Sequence, residues 1–407
     1  MPSTLPDGES APDDGALPES VAEGAQRRDF GVYLHVPFCT VRCGYCDFNT
    51  YTEADQPGMS LDEFPSSASA ELELASRVID RAGLPPRLMS TVFFGGGTPT
   101  LLSPEQIGQL LEKLSGTWGL APDAEVTVEA NPDTLSASVI ERLAQVGVTR
   151  LSLGVQSFVP HVLRTLDRTH NPESVAPAVR AAREAGVHVS MDLIYATPRE
   201  SMADWRTSLE QAIDLDPDHF SAYSLIVEPG TALARRVRRG ELEPVDEDRQ
   251  AEFYELADDL LTAAGYHWYE VSNWSRSPAG QSRHNLSYWT GQDWWGVGPG
   301  AHSHIGGVRW WNVKHPAAWA ARLRDGSSPA QSREILDSSA RRLEQIMLGL
   351  RLAEGIDRSL VGGSTPVADE AWQRGWVEPD AWEDGRLVLT RAGRLLADGL
   401  ALRLAGD

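Results

Sequence analysis

Gly31-Val-Tyr-Leu-His-Val36 runs through Pro37 and Phe38 into Cys39-Thr-Val-Arg-Cys43-Gly-Tyr-Cys46. A β-rich apolar run that empties into a loop of three cysteines decides how the rest of the chain is read. These are the only cysteines of the protein, so they build no disulfide framework, and a reducing cytoplasm suits them best. Three thiolates on one short loop can ligate three irons of a four-iron cube and leave one iron open, unlike a fully ligated electron-transfer cluster. A structural zinc ion would want a fourth Cys or His close by, whereas His35 sits on the strand before the loop. The pattern therefore reads as a [4Fe-4S] cluster on Cys39, Cys43 and Cys46, placed where a barrel strand ends and sites form.

Working outward, β-rich runs alternate with helical patterns. Gly31–Val36 is followed by a helix near Ala68–Ile79, Thr91–Phe94 by Pro104–Leu114, and Glu125–Glu129 by Ala137–Val146. Arg150–Gln156 precedes Glu173–Ala185, Val187–Ile194 precedes Met202–Ile213, and His219–Ile226 precedes Gln250–Ala264. Six such units with right-handed crossovers predict an α/β fold, an open (βα)6 partial TIM-type barrel. Four regions follow: a disordered acidic tail over 1–28, the barrel over 29–265, an aromatic-rich segment over 266–335, and a winged-helix-like cap over 336–407.

The 407 residues suffice for one barrel-sized core and a smaller appended unit. No apolar run nears the roughly 20 residues needed to span a bilayer. A net charge of −22 argues against nucleic acid as a partner, because phosphate neutralisation needs clustered Lys and Arg. The local run Arg235, Arg236, Arg238 and Arg239 reads as a solvated helix face.

Polar or glycine-rich features close successive strands. Gly95, Gly96 and Gly97 let backbone approach a ligand closely, and Thr98 adds a hydroxyl. Glu129 ends an alternating strand and can accept hydrogen bonds from ribose hydroxyls or cap a loop. Gln156, Arg168 and Asp192 fit either a ligand site or an interior polar network.

The Cys-x-x-x-Cys-x-aromatic-Cys loop resembles the signature of the radical SAM superfamily. Tyr33–Cys39, Gly95–Thr100, Glu129–Pro132, Gly154–Phe158 and Asp192–Tyr195 narrow the resemblance to the oxygen-independent coproporphyrinogen III oxidase family. That likeness implies S-adenosylmethionine on the open iron, contacted by Tyr33, Gly96, Gly97, Thr98 and Glu129, with Tyr45 beside its adenine. It implies a second S-adenosylmethionine near Gln156, Arg168 and Asp192, and an electron donor such as a flavodoxin or ferredoxin.

Oxidases of that family carry a further cysteine two residues after the third, where this chain has Phe48. The departure matches the HemW-type haem chaperones, which bind haem and deliver it to recipient haem proteins. His284-Asn-Leu-Ser-Tyr-Trp289 has the form associated with haem in that group, which makes His284 an expected iron ligand. A core histidine among aromatics is the alternative. The segment Gly296–Ser303 also resembles the family, and His302 and His304 read as packing residues. The resemblance thus implies a haem chaperone in the cytoplasm, and membrane contact through a partner stays open. Decarboxylation of propionates to vinyls, or another radical SAM reaction on haem or another tetrapyrrole, stays open as an enzymatic alternative.

Overall fold

The structure, a computed structural model, describes residues 7–362 and 365–406. A two-residue strand β1 (Glu9–Ser10) precedes the βα series. β2 (Phe30–Val36) leads to α1 (Phe64–Arg81), β3 (Met89–Gly96) to α2 (Pro104–Trp118), and β4 (Leu120–Ala130) to α3 (Ala137–Gln145). β5 (Arg150–Gln156) is followed by α4 (Pro160–Thr165) and α5 (Val175–Glu184), and β6 (His188–Tyr195) by α6 (Met202–Asp214). β7 (His219–Ser224) precedes α7 (Ala232–Arg238) and α8 (Glu247–Ala263). Local chemistry fixes the helix starts: Ser103 and Gln106 form a capping box on α2 with Pro104 in its first turn, and Ser201 and Asp204 do so on α6. β2 to β7 pair in chain order and in parallel.

Residues 266–335 are not a separate layer but complete the same sheet. β8 (His267–Glu270) pairs antiparallel with β9 (Asn273–Ser275), and β9 pairs with β7. After α9 (Arg283–Trp289), β10 (Asp293–Val297) lies parallel to β2 at the opposite end. β11 (His302–Ile305) and β12 (Val308–Asn312) continue antiparallel, and β13 (Ala330–Ile335) follows after α10 (Pro316–Arg324). The outer strands of this 13-stranded sheet, β1 and β8, do not pair with each other, so the barrel is open. The crowded tryptophans form its core: Trp274, Trp311 and Trp319 are fully buried, and Trp295 meets Trp310 edge-on at 4.8 Å.

The expectation of a disordered tail over 1–28 is overturned for residues 7–28; residues 1–6 lie outside the described residues. Its acidic, Pro-rich average conceals a few well-spaced anchors. Val21 and Ala25 are fully buried in the main core, β1 pairs with β13, and Arg28 reaches Asp293 at 2.9 Å. Arg28 also donates to the carbonyls of Glu23 and Val21, so one guanidinium fixes the turn entering β2.

The C-terminal unit holds α11 (Ser338–Gly349), β14 (Ile356–Asp357), α12 (Pro366–Gln373), α13 (Pro379–Glu383), β15 (Arg386–Leu387), α14 (Arg391–Arg394) and α15 (Ala397–Gly406). β14 and β15 form an antiparallel ribbon beside a separate core that includes Ile346, Leu350, Leu387 and Leu400. Backbone bonds between Val271 and Arg351 and between Ala353 and Tyr269 dock it on the barrel, as do Arg391–Asp259 and Arg394–Asp258.

Candidate cofactor site at the barrel mouth

Close packing around two glycines holds the cysteine loop. A Cβ on Gly44 would stand 2.2 Å from Asp167 Oδ2, and the Gly44 amide donates to the Leu166 carbonyl at 3.0 Å. At the end of β3, a Cβ on Gly97 would stand 2.4 Å from the Phe38 carbonyl oxygen and 3.0 Å from Cys39 Sγ. Thr98 Oγ1 lies 3.9 Å from the same sulfur. The loop is thereby clamped between β3 and the turn after α4, with its thiols facing the carboxyl ends of the strands.

A cavity of about 300 Å³ opens there, lined by Cys39, Cys43, Cys46, Tyr45, Phe48, Gly96, Gly97, Thr98, Glu129, Gln156, Arg168 and Asp192. The structure brings these sequence-chosen residues together. Glu129 accepts from the Gly96 amide at 3.0 Å, which ties β4 to the glycine turn. Burial, reinforced by the charge of Asp192, pushes its carboxyl up to about 7. Burial likewise raises Asp192 to about 6, moderated by hydrogen bonds from Ser221 and Ser152. Arg168 reaches Cys43 Sγ at 3.4 Å and holds Asn131 Oδ1 and the Gly154 carbonyl at 2.5 Å each. Gln156 ends β5 with φ +60°, a left-handed conformation that non-glycine residues adopt at a cost of about 1–3 kcal/mol and that clusters at functional sites.

The three thiols are the donor set for the implied cluster. Burial, then the neighbouring Cys46, pushes the Cys39 thiol up to about 11, and burial also raises Cys46, so the pocket favours thiolates only beside compensating positive charge. Among the described residues, no three His, Cys, Asp or Glu side chains close around a single metal ion. Three thiols with no fourth Cys on the loop suit a four-iron cluster with one open iron better than a structural zinc ion. The buried Arg168 Nε is without a partner beside them.

Two expected site residues stand elsewhere. Tyr33 is buried below the cavity floor, where its hydroxyl bonds His35 Nδ1 at 3.0 Å. His284 does not present a free nitrogen to haem iron: Nδ1 lies 2.8 Å from Thr91 Oγ1 and Nε2 lies 2.8 Å from Tyr288 Oη. Its ring stacks on Phe93, and burial lowers its pKa to about 3. Glu125 causes this placement, because its carboxylate accepts both the Arg283 and His284 amides and draws the first turn of α9 into the barrel.

Sequence reading missed several lining residues. On β5 they are Arg150 and Ser152, on β6 Ser190, and on β7 His219, Ser221 and Tyr223. Every second position of these strands points inward. Non-apolar residues at i, i+2, i+4 and i+6, as in Arg150, Ser152, Gly154 and Gln156, were the available signal.

An open parallel barrel with three thiols at its carboxyl mouth defines the radical SAM class, and residues 33–212 match the family model described as the Radical SAM superfamily. Full-length comparison resolves the branch. The protein named "Heme chaperone HemW" of Mycobacterium tuberculosis (strain CDC 1551 / Oshkosh) is 49% identical over 381 residues, covering 93% of this chain and 95% of that one. The protein of the same name from Bacillus subtilis (strain 168) is 34% identical over 377 residues, covering 90% and 96%. This chain belongs to the HemW family. Coproporphyrinogen III oxidase (HemN) from Escherichia coli, a solved radical SAM enzyme, shares its fold with a TM-score of 0.79 at 22% identity, covering 95% of this chain and 92% of that one.

Proposed function

We propose that this protein is a haem chaperone: it holds a [4Fe-4S] cluster on Cys39, Cys43 and Cys46, binds S-adenosylmethionine in the barrel mouth, and passes haem to recipient haem proteins. The observation that carries the reading is the cysteine loop itself, three thiols at the mouth followed by Phe48. That side chain is 45% exposed on the cavity rim, where the resembling oxidases carry a further cysteine.

When bound, the cluster supplies an open iron and an electron. The chain's own residues do the rest. Gly96 and Gly97 keep the mouth free of side chains, Glu129 accepts from hydroxyls of the nucleoside, and Tyr45 packs against its base. Arg168 holds the Cys43 sulfur in place. Gln156 and Asp192 line the deeper wall, where the family resemblance implies a second S-adenosylmethionine. The same reading puts the chain in the cytoplasm, reduced by a flavodoxin or ferredoxin, with any membrane contact made through a partner. Among the described residues no helix is long and apolar enough to cross a membrane.

The test is anaerobic reconstitution followed by iron and sulfide analysis, S-adenosylmethionine binding, haem transfer to an apo haem protein, and incubation with coproporphyrinogen III. The expected result is about four irons per chain and haem transfer. Turnover to protoporphyrinogen IX overturns the chaperone reading in favour of the oxidase.

A further inference from the structure

The cluster that the function proposed above places on Cys39, Cys43 and Cys46 takes its electron from outside the chain, and the three cysteines are only partly covered. Two large apolar side chains of the same loop face solvent at the cavity rim: Val41 is 52% exposed, and Phe48 stands nearly as open. Single exposed apolar residues are ordinary. These two flank the sulfurs, where a reductant has to come close.

Beside the loop lies the arginine run of α7. The Leu233 amide donates to the Gly44 carbonyl at 2.7 Å, and the Gly44 amide donates to the Leu166 carbonyl, so the cysteine loop is stitched to the start of α7 and to the turn after α4. Tyr45 packs on the apolar cluster that Leu166 and Leu233 share. Arg236 spans the two helices by donating to the Thr165 carbonyl at 3.0 Å. Arg235 and Arg238, three residues apart, lie on one face of α7. At about 1.5 Å per residue, Arg238 is about 7.5 Å along the helix from the residue bonded to Gly44.

Some of these cations are already matched. Arg42 reaches Asp55 at 3.4 Å, Arg236 reaches Asp167 at 3.8 Å, and Arg239 pairs with Glu241. Arg164 on α4, Arg235 and Arg238 are exposed and hold no carboxylate among the described residues; Arg235 bonds the Gly230 carbonyl of its own turn. Three uncompensated guanidiniums beside the cysteine loop reverse the local sign of a chain whose net charge is −22. An acidic protein is repelled by most of such a surface and is drawn in where the sign reverses. A nucleic acid would need a longer basic track.

We infer that Val41 and Phe48, rimmed by Arg164, Arg235 and Arg238, form the docking face for a small acidic protein that carries one electron to the cluster. This rests on the cluster of the chaperone reading and deepens it, by giving the place and the charge by which the donor is recognised. Redox encounters bury less than about 1,200 Å², so two apolar side chains and a few charges suffice. Such a complex is short-lived and weakened by salt.

The probes are reduced flavodoxin and a reduced [2Fe-2S] ferredoxin, both acidic, and their binding to the full-length reconstituted protein is measured by interferometry at low and high salt. Arg235→Glu/Arg238→Glu weakens binding of the preferred donor by about tenfold or more and flattens its salt dependence. Cluster reduction by that donor, read as loss of visible absorption, slows in step; the donor is oxidised by one electron as the cluster is reduced by one. Iron content and reduction by photoreduced deazaflavin, a small molecule that needs no docking face, hold. Arg77→Glu/Arg180→Glu, the same change of charge at exposed positions of α1 and α5, leaves donor binding unchanged. Three results overturn this face and leave the chaperone reading standing: rim variants that bind the donor as the unaltered protein does, a remote pair that weakens it equally, or an unaltered protein that binds neither probe at low salt. A reconstituted protein without cluster iron overturns the cluster and the docking face with it.

Discussion

Arg168 Nη1 lies 3.4 Å from Cys43 Sγ, a cation on a sulfur 125 residues away in the chain. Its other terminal nitrogen is locked on Asn131 and Gly154, so the guanidinium is a fixed donor. Hydrogen bonds and net charge at the sulfurs set cluster potentials. Arg168→Gln should therefore retain iron but lower the reduction potential by roughly 50 mV, the one-electron equivalent of about 1 kcal/mol. Redox titration followed by EPR measures it; an unchanged potential would remove Arg168 from the cluster's surroundings.

Burial brings the Glu129 carboxyl near neutrality, at about 7. Its carboxylate accepts hydrogen bonds better than its protonated form, so S-adenosylmethionine affinity should rise with pH through 7 and fall below it. Glu129→Gln should bind about tenfold or more weakly, the equivalent of about 1.5–3 kcal/mol for a charged acceptor. Calorimetry from pH 6 to pH 8 should also find this variant's affinity flat with pH.

Glu71 sits fully buried on α1, accepting from the Gly298 amide at 2.9 Å and from Asn312 and Trp319 at 2.7 Å. Burial still raises it from 4.5 to about 7. The folded state thus binds the proton more tightly than the unfolded one, and this group's contribution to stability falls as pH rises from 4.5 to about 7, by about 3 kcal/mol. Urea unfolding at pH 5 and pH 7.5 should show that Glu71→Gln lacks this component; equal pH slopes would contradict it.

The ordered N-terminal segment makes its own prediction. Val21 is fully buried, and Val21→Ala should cost about 2 kcal/mol through lost burial and a residual cavity. Denaturant midpoints read the difference. A variant as stable as the parent would mean that the segment does not pack in solution.

The six βα units were legible because parallel strands and amphipathic helices carry their period locally, and the reading of Arg150–Gln156 matches β5 residue for residue. The flanking strands were not. β10 meets β2 across more than two hundred residues, and its Trp294-Trp295 step carries no period of two and leads into another strand, with no helix after it to announce a parallel neighbour. For the site, the cysteines, glycines and Glu129 were legible because a motif names its own members. Ser152 was hidden because it acts through a partner, holding Asp192 from the adjacent strand. His284 misled for the same reason: its motif is visible, but Thr91 and Glu125, which turn it inward, lie on other strands.

The donation of β10 to β2 and β9 to β7 also orders events during synthesis. Both long edges of the parallel array are closed by residues that emerge after its last strand. At about 5–20 residues per second, the entirely buried β2 waits roughly 13–50 s for Asp293 to arrive and capture Arg28 and Arg87. During that interval the nascent chain presents an unpaired apolar edge, the geometry that invites strand-to-strand association. A fragment ending at residue 265, where the local pattern alone would draw a boundary, makes that interval permanent.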